Sequence, residues 1–394
     1  KDEEKLTAFI FKTVSEMHVG ELSFVRVYSG ILKSGDDTYN STQGNNERIG
    51  QIFDLSGKNK ENTDQLHAGD IGALVKLKST HTGDTLTAKG TDFKLPELEF
   101  PASLMSFAVE PKSKGDEGKI STGFQSLHEE DPTFLVQFDP ELKQTIISGQ
   151  GELHLDIKVK RLKQKFGVEV NMKDPRIPYR ETIKSPADAK YRHKKQSGGA
   201  GQFAEVWMRI EPKPRGEGVE FTNSLVGQNV DRVYVPSVEK GVNAACEEGI
   251  IAGYKVVDLK VDFYDGKMHP VDSSDIAFQI AGKAAFKEAF KQAKPTLLEP
   301  IYDLEVRVPE EFMGDVMGDI SSRRGKIQGM DAEGRFQLIK AKVPLAELNR
   351  YSNALRSMTQ GRGLFRQKFS HYEEVPGDLA QKIIEAAKKE KEEA

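Results

Sequence analysis

The densest chemistry in this sequence lies in the thirteen residues from Lys190 to Gln202. Four cations (Lys190, Arg192, Lys194 and Lys195) and His193 fall within six positions and run into Ser197-Gly198-Gly199-Ala200-Gly201. After Gln202, Phe203 to Ile210 reads as a strand rich in β-formers. A charged strand entering a glycine turn and a hydrophobic strand leaving it predict a hairpin with a basic, pliable tip. Cationic side chains and close backbone approach suit phosphates and unpaired bases. A solvated turn beside surface lysines accounts for the same residues, so the stretch does not decide between the two.

Three further segments could carry chemistry. His269 lies in the loop Asp265 to Ser274, just before Asp272-Ser273-Ser274, a run of natural N-caps for a helix from Ile276. An imidazole held there can donate to a phosphate or a 2′-hydroxyl, or stack on a base. In Gly314 to Lys326, the residues Arg323, Arg324 and Lys326 cluster where a helix ends. The helix dipole favours cations at that place, although Ser321 and Ser322 beside two arginines could also grip a phosphate backbone. Gly149 to Ile157 reads as a turn feeding a helix, with His154 near the helix start in a structural position.

Other chemistry is missing. No Gly-x-x-x-x-Gly-Lys-Ser/Thr occurs; Ala281-Gly282-Lys283-Ala284 lacks the first glycine and the hydroxyl and falls inside a helical pattern. Asn59-Lys60 lacks the aspartate that a guanine-reading motif needs. Gly199-Ala200-Gly201 precedes a strand rather than a helix, so it is no dinucleotide fingerprint. The eight histidines are scattered without HExxH spacing, and neither a metal site nor a nucleophile–base pair can be argued.

The elements that must position these residues fall into several domains, since 394 residues exceed what one core serves. A formal charge of −4 means that any nucleic-acid contact must come from local patches. The single Cys246 excludes a disulfide framework and fits a reducing cytoplasm. No apolar run is long enough to span a membrane, no signal peptide is present, and a start at Lys1-Asp2-Glu3-Glu4 suggests a piece of a longer protein. Residues 1–94 read as short strands with recurrent Gly-Asp turns, a small closed barrel. Leu95 to Pro101 is a linker. Residues 102–172 give strand, helix, strand, strand, helix, strand, with helices over Ser113 to Glu130 and Leu153 to Phe166, the order of a ferredoxin-like sandwich. The order recurs over 301–373, with a helix starting at Pro309 and a second expected unbroken from Pro344 to Gln360. Between them, 175–299 forms a βα domain that carries the basic hairpin, a helix from Ser237 to Ile251, a strand from Tyr254 to Phe263 and a long helix from Ile276 to Ala293. A last helix fills 376–394 and frays into a Lys/Glu run.

These residues carry a resemblance. The chain resembles bacterial translation elongation factor G, the ribosomal translocase, without its amino-terminal GTPase domain. The matching motifs are Arg26-Val27-Tyr28-Ser29-Gly30, Ala68-Gly69-Asp70, Thr82 to Leu86, Phe107 to Pro111, Gln144 to Ile147, Gly151 to Asp156 and Pro178 to Thr182. His193 with Lys195 to Gly199, His269 with Val271 to Ser274, Leu297 to Pro300 and the Gly314 to Gly325 run continue them. The resemblance implies a multidomain α+β chain covering the family's second to fifth domains: a translation-factor β-barrel (1–94), a ferredoxin-like domain (95–174), a βα arm akin to a ribosomal small-subunit protein (175–299) and a second ferredoxin-like domain (300–375). It implies that Gln196, Ser197, Gly198 and Gly199, flanked by His193 and Lys195, form one tip loop of the arm and that His269 belongs to the other. Both would meet tRNA and mRNA in the decoding region. It implies that Ser321, Ser322, Arg323 and Arg324 face large-subunit RNA, and that His154 lies in the domain that couples to the GTPase domain. The expected partners are both ribosomal subunits and their RNA, with the GTPase domain in cis; the expected state is a cytoplasmic monomer off the membrane. This chain itself would have no catalytic residues, cofactor or metal, while the full-length protein would be a GTPase binding GTP and Mg2+. Ala200 and Met268 stand where many family members have an arginine and an aromatic, and Glu16 to Gly20 departs from the usual acidic-proline-aromatic run. These differences keep open a paralogue specialised for ribosome recycling. The further alternatives are a ribosomal protection protein and a self-contained enzyme using His269 with Asp272.

Overall fold

A computed structural model describes residues 1–16, 20–57, 59–196 and 201–393. The chain divides into two compact units, Lys1–Arg176 and Ile177–Ala394.

The first unit opens with ten short strands: β1 (Thr7–Glu16), β2 (Gly20–Ser29), β3 (Leu32–Lys33), β4 (Asp37–Asn40), β5 (Asn45–Arg48), β6 (Ile52–Ser56), β7 (Asn59–Thr63), β8 (Gln65–Leu66), β9 (Ile71–Val75) and β10 (Thr85–Thr87). Eight of them form one antiparallel sheet in the order β5-β4-β10-β1-β2-β9-β6-β7, and β3 pairs with β8. The inward residues Ala8, Ile10, Val25, Val27, Leu32, Ile52, Leu66, Leu74 and Leu86 make one core, as a barrel interior requires. A sandwich follows: β11 (Met105–Pro111), α1 (Glu117–Glu130), β12 (Leu135–Asp139), β13 (Gln144–Gly149), α2 (Glu152–Phe166) and β14 (Val170–Lys173), with sheet order β12-β13-β11-β14. Helical spacing of Ile120, Phe124, Leu127, Leu155 and Leu162 buries one face of each helix against this sheet.

The second unit begins with β15 (Arg180–Ile183) and then builds the arm. Its strands are β16 (Ala187–Lys195), β17 (Gln202–Pro212), β18 (Val219–Asn223) and β19 (Leu259–Lys267), and its helices are α3 (Val235–Glu248) and α4 (Asp275–Gln292). The sheet order is β16-β17-β19-β18, and α3 and α4 pack on one face only, around Val206, Met208, Phe263, Phe278 and Phe286. The helices cross where Gly241 meets α4: a Cβ there would stand 2.2 Å from the Gln279 carbonyl oxygen, so no larger residue fits. The last domain has β20 (Pro295–Pro309), α5 (Met313–Ser322), β21 (Lys326–Glu333), β22 (Phe336–Pro344), α6 (Tyr351–Met358) and β23 (Leu364–Glu374), in the order β21-β22-β20-β23. Its topology is that of the first sandwich. The chain closes with α7 (Gly377–Glu393), whose Leu379, Ala380 and Ile383 pack with Tyr179, Ala252, Leu297 and Val375.

Three expectations change. The helix from Pro344 to Gln360 is broken: Leu345–Leu348 is a 3₁₀ turn, Arg350 sits at φ 54°, and α6 begins only at Tyr351. The cause is visible at Glu347, whose carbonyl accepts from Arg323 Nη1 at 2.7 Å and whose carboxylate accepts from Arg324 Nε at 2.9 Å. The strand expected from Tyr254 starts at Leu259, because residues 250–254 wrap a buried carboxylate. Glu181 Oε2 accepts from the N–H groups of Ile250 and Ile251, and Oε1 from those of Ala252, Gly253 and Tyr254, at 2.6–3.0 Å. Finally, β20 is one strand of fifteen residues that runs through the expected boundary at 299/300. Its first part pairs with β15, and Ile301 to Pro309 pair with β22.

Candidate nucleic-acid interface

The hairpin β16–β17 is regular up to its tip, with register pairs from Ala187↔Ile210 to Lys195↔Gln202. Of the predicted tip residues, Ser197, Gly198 and Gly199, with Ala200, lie outside the described residues, as do Met17 to Val19 of the barrel loop. The tip's flanks are defined. His193 Nε2 donates to Gln202 Oε1 at 2.9 Å, and Gln196 is exposed. Lys194 and Lys195 are exposed and make no ion pair among the described residues. Lower on the same strand, Arg192 pairs with the buried Glu205, which also accepts from Trp207 Nε1 at 2.8 Å. Burial opposes charge on Glu205, yet the bonds from Trp207 and Arg192 hold its carboxyl below the ordinary range.

The second predicted loop docks onto this hairpin. Phe203 N–H donates to the Asp272 carbonyl at 2.8 Å, Ser273 Oγ donates to the Phe203 carbonyl at 2.8 Å, and the Phe203 and His269 rings lie 6.2 Å apart. At Gly201 a Cβ would come within 2.8 Å of the Asp272 carboxylate, so the two loops meet closely only because that position is glycine. Of the expected N-caps, Ser274 alone caps α4, accepting from Ala277 N–H. Ser273 instead ties the loop, accepting from His269 N–H at 2.9 Å while it holds the hairpin.

His269 is thereby oriented. Its Nδ1 accepts from Val271 N–H at 3.3 Å and Asp272 N–H at 3.2 Å. Nδ1 being an acceptor, the proton of the neutral ring sits on Nε2, which has no partner among the described residues, on a side chain half exposed at 50%. A half-exposed N–H donor, two lysines without an ion pair among the described residues and an aromatic ring therefore share one end of the arm, groups of the kind that can donate to phosphate oxygens and stack on bases.

The other predicted cations behave differently. Arg324 forms a fork with Glu299 (2.6 and 2.9 Å) and also donates to Glu347. Glu299 is 3% exposed, and hydrogen bonding to it raises the arginine above its ordinary range despite burial. Arg323 donates to Asp319 at 2.8 Å and to the Glu347 carbonyl, and lies 5.2 Å from the Tyr351 ring centre. The hydroxyls of Ser321 and Ser322 donate to the carbonyls of Met317 and Asp319. The guanidinium groups at the end of α5 thus hold the domain together, whereas Ser321, Ser322 and Lys326 stand exposed, Lys326 in an ion pair with Glu373 at 2.8 Å.

His154 is also held internally. Its Nδ1 accepts from Gln150 N–H at 3.1 Å and its Nε2 donates to Asp131 at 2.9 Å, beside Lys158 on the same carboxylate at 2.8 Å. Burial would push the Asp131 carboxyl up, but the bonds from Lys158, Thr133 and His154 and the Lys158 charge bring it below the ordinary range. Phe203, Asp272 and Ser273 are the contacts that sequence reasoning did not assign to the tip, because their roles depend on backbone atoms that carry no sequence signal.

Comparison with known proteins covers nearly the whole chain. Family models described as elongation factor G domain 2, domain III, domain IV and C-terminus match residues 5–89, 100–174, 175–294 and 296–383. A crystal structure of a protein from Thermus thermophilus superposes with a TM-score of 0.86 at 36% identity, covering 98% of this chain and 58% of that one. This chain therefore spans less than two thirds of the relative it matches.

Proposed function

Because the chain belongs to the elongation factor G family, we propose that it is the ribosome-binding part of a factor promoting GTP-dependent translocation of tRNA and mRNA in the cytoplasm. The observation that carries this reading is the joined tip: two loops fastened through Phe203 present the His269 Nε2–H, with Lys194 and Lys195 alongside. In this reading the arm enters the decoding region, follows the codon–anticodon helix and biases the ribosome's conformational equilibrium forward by selective binding. No bond chemistry falls to this chain. GTP and Mg2+ belong to a GTPase domain outside it, to which the His154 segment couples. The end of α5, braced by Arg324, faces large-subunit RNA through Ser321 and Ser322.

The test is a single-turnover translocation assay with the factor that joins this chain to its GTPase domain. His269→Ala, which removes one donor to a charged oxygen, should slow translocation about 10-fold. Ribosome-stimulated GTP hydrolysis should stay within about twofold of the parent, since the tip lies in a different domain from the nucleotide. Translocation at the parental rate overturns the assignment.

A further inference from the structure

The open face of the arm's sheet carries a second arrangement, distinct from the tip. Along β17, Ala204, Val206, Met208 and Ile210 point into the core, so Phe203, Glu205, Trp207 and Arg209 stand on the opposite face. The helices α3 and α4 cover only the core side. On the open face Trp207 and Tyr264 meet edge to face with ring centres 6.3 Å apart. The Lys190 ammonium lies 5.4 Å from the Trp207 ring centre and the Arg209 guanidinium 5.2 Å from that of Tyr264. Nearer the tip, the Phe203–His269 pair continues the row of rings.

Ion-paired and unpaired cations alternate along this face. Arg209 pairs with Asp188, Lys213 with Glu217 and Glu220, and Arg192, between the rings of Phe203 and Trp207, with the buried Glu205. Lys190, Lys194 and Lys267 are exposed and form no ion pair among the described residues. Rings on an open sheet, with three lysines beside them that form no ion pair among the described residues, match the two needs of an unpaired RNA strand: π-faces for its bases and cations for its phosphates. A duplex offers only phosphates, because its bases are already stacked.

We propose that this face binds unpaired RNA, from the Phe203–His269 pair down to Trp207 and Tyr264, five residues or about 17 Å along β17. A base that stacks on Trp207 displaces the Lys190 ammonium toward the adjoining phosphate. The proposal extends beyond the function above, which uses the tip alone.

Trp207 is the only tryptophan in the chain, so its fluorescence reports on this face and nowhere else. The chain would be titrated with a twelve-nucleotide oligouridylate, with a duplex RNA of that length and with inorganic polyphosphate of equal charge. The expected result is saturable quenching by the single strand, weakened by added salt and not matched by duplex or polyphosphate. Tyr264→Ala and, separately, the surface change Lys190→Glu should each weaken it at least about fivefold, whereas Tyr264→Phe should hold within about twofold. Four results overturn the proposal: no binding; binding by filter retention without quenching; equal quenching by polyphosphate or duplex; or affinity lost on His269→Ala but untouched by Tyr264→Ala and Lys190→Glu. The last result leaves the tip assignment standing, and parental translocation by the His269→Ala factor overturns the tip assignment without touching this one.

Discussion

Two clusters of cations in the second unit look alike in the sequence and are used differently. Around the hairpin, Arg192 is taken up by the buried Glu205, but Lys190, Lys194 and Lys195 stand exposed without an ion pair among the described residues. At the end of α5, Arg323 and Arg324 are half-buried and bonded to Asp319, Glu347 and Glu299. The partners of Arg324 lie 25 and 23 positions away, on β20 and the 3₁₀ turn before α6. Cation density along a sequence therefore says little about which charges remain for a ligand. What decides is whether the fold returns a carboxylate to the same place.

The contrast can be broken at its strongest point. Arg324→Ala leaves the 3% exposed Glu299 carboxylate without its fork and should cost about 3 kcal/mol of unfolding free energy, measured by urea denaturation. A loss below about 1 kcal/mol would show that the arginine is free for another role. A second paired cation sharpens the same point by pH. In the first unit, Asp131→Asn strips Lys158, 4% exposed, of its anion and should cost about 2 kcal/mol. Because the folded Asp131 carboxyl is depressed, its contribution is complete above the unfolded value of about 4 and is lost as pH falls through the folded one. The stability of the parent should fall in that acid window and that of Asp131→Asn should fall less, as thermal melts at successive pH values would record. Arg323→Ala comes next, at about 1 kcal/mol, since it removes a partly exposed ion pair and a ring contact. Smallest is the double change Lys194→Ala/Lys195→Ala, with an effect on stability below about 0.5 kcal/mol. It should nonetheless flatten the slope of log affinity for single-stranded RNA against log salt by about 0.7 for each phosphate that either lysine neutralises. An unchanged slope would place the phosphates elsewhere.

Much of this architecture is legible from pattern. Alternation along β17 and β20 and helical spacing in α1, α2 and α4 reveal both sandwiches and the arm, because burial on one face imposes a period that any reader can count. The hairpin is legible from its glycines and cations. What escapes is set by backbone atoms and distant carboxylates. Nothing local in Tyr254 to Val257 reveals that Glu181 draws the preceding amides around itself, and nothing in Leu345 to Gln360 reveals that two arginines claim Glu347. The fastening of the tip loops through Phe203 and Asp272 is equally silent, though the alternation that places Phe203 and Trp207 opposite Ala204 and Val206 is there to be read.

The fifteen-residue strand β20 has a mechanical consequence. It spans about 50 Å as a single extended segment, hydrogen-bonded to β15 at one end and to β22 and β23 at the other. Its ladder with β23 shifts register between Ile301 and Tyr302, just where the pairing with β15 has ended and that with β22 begins. An irregularity of this kind bends the strand that carries it. The arm's root and the last domain therefore share one backbone, and the angle between them is set at that single step.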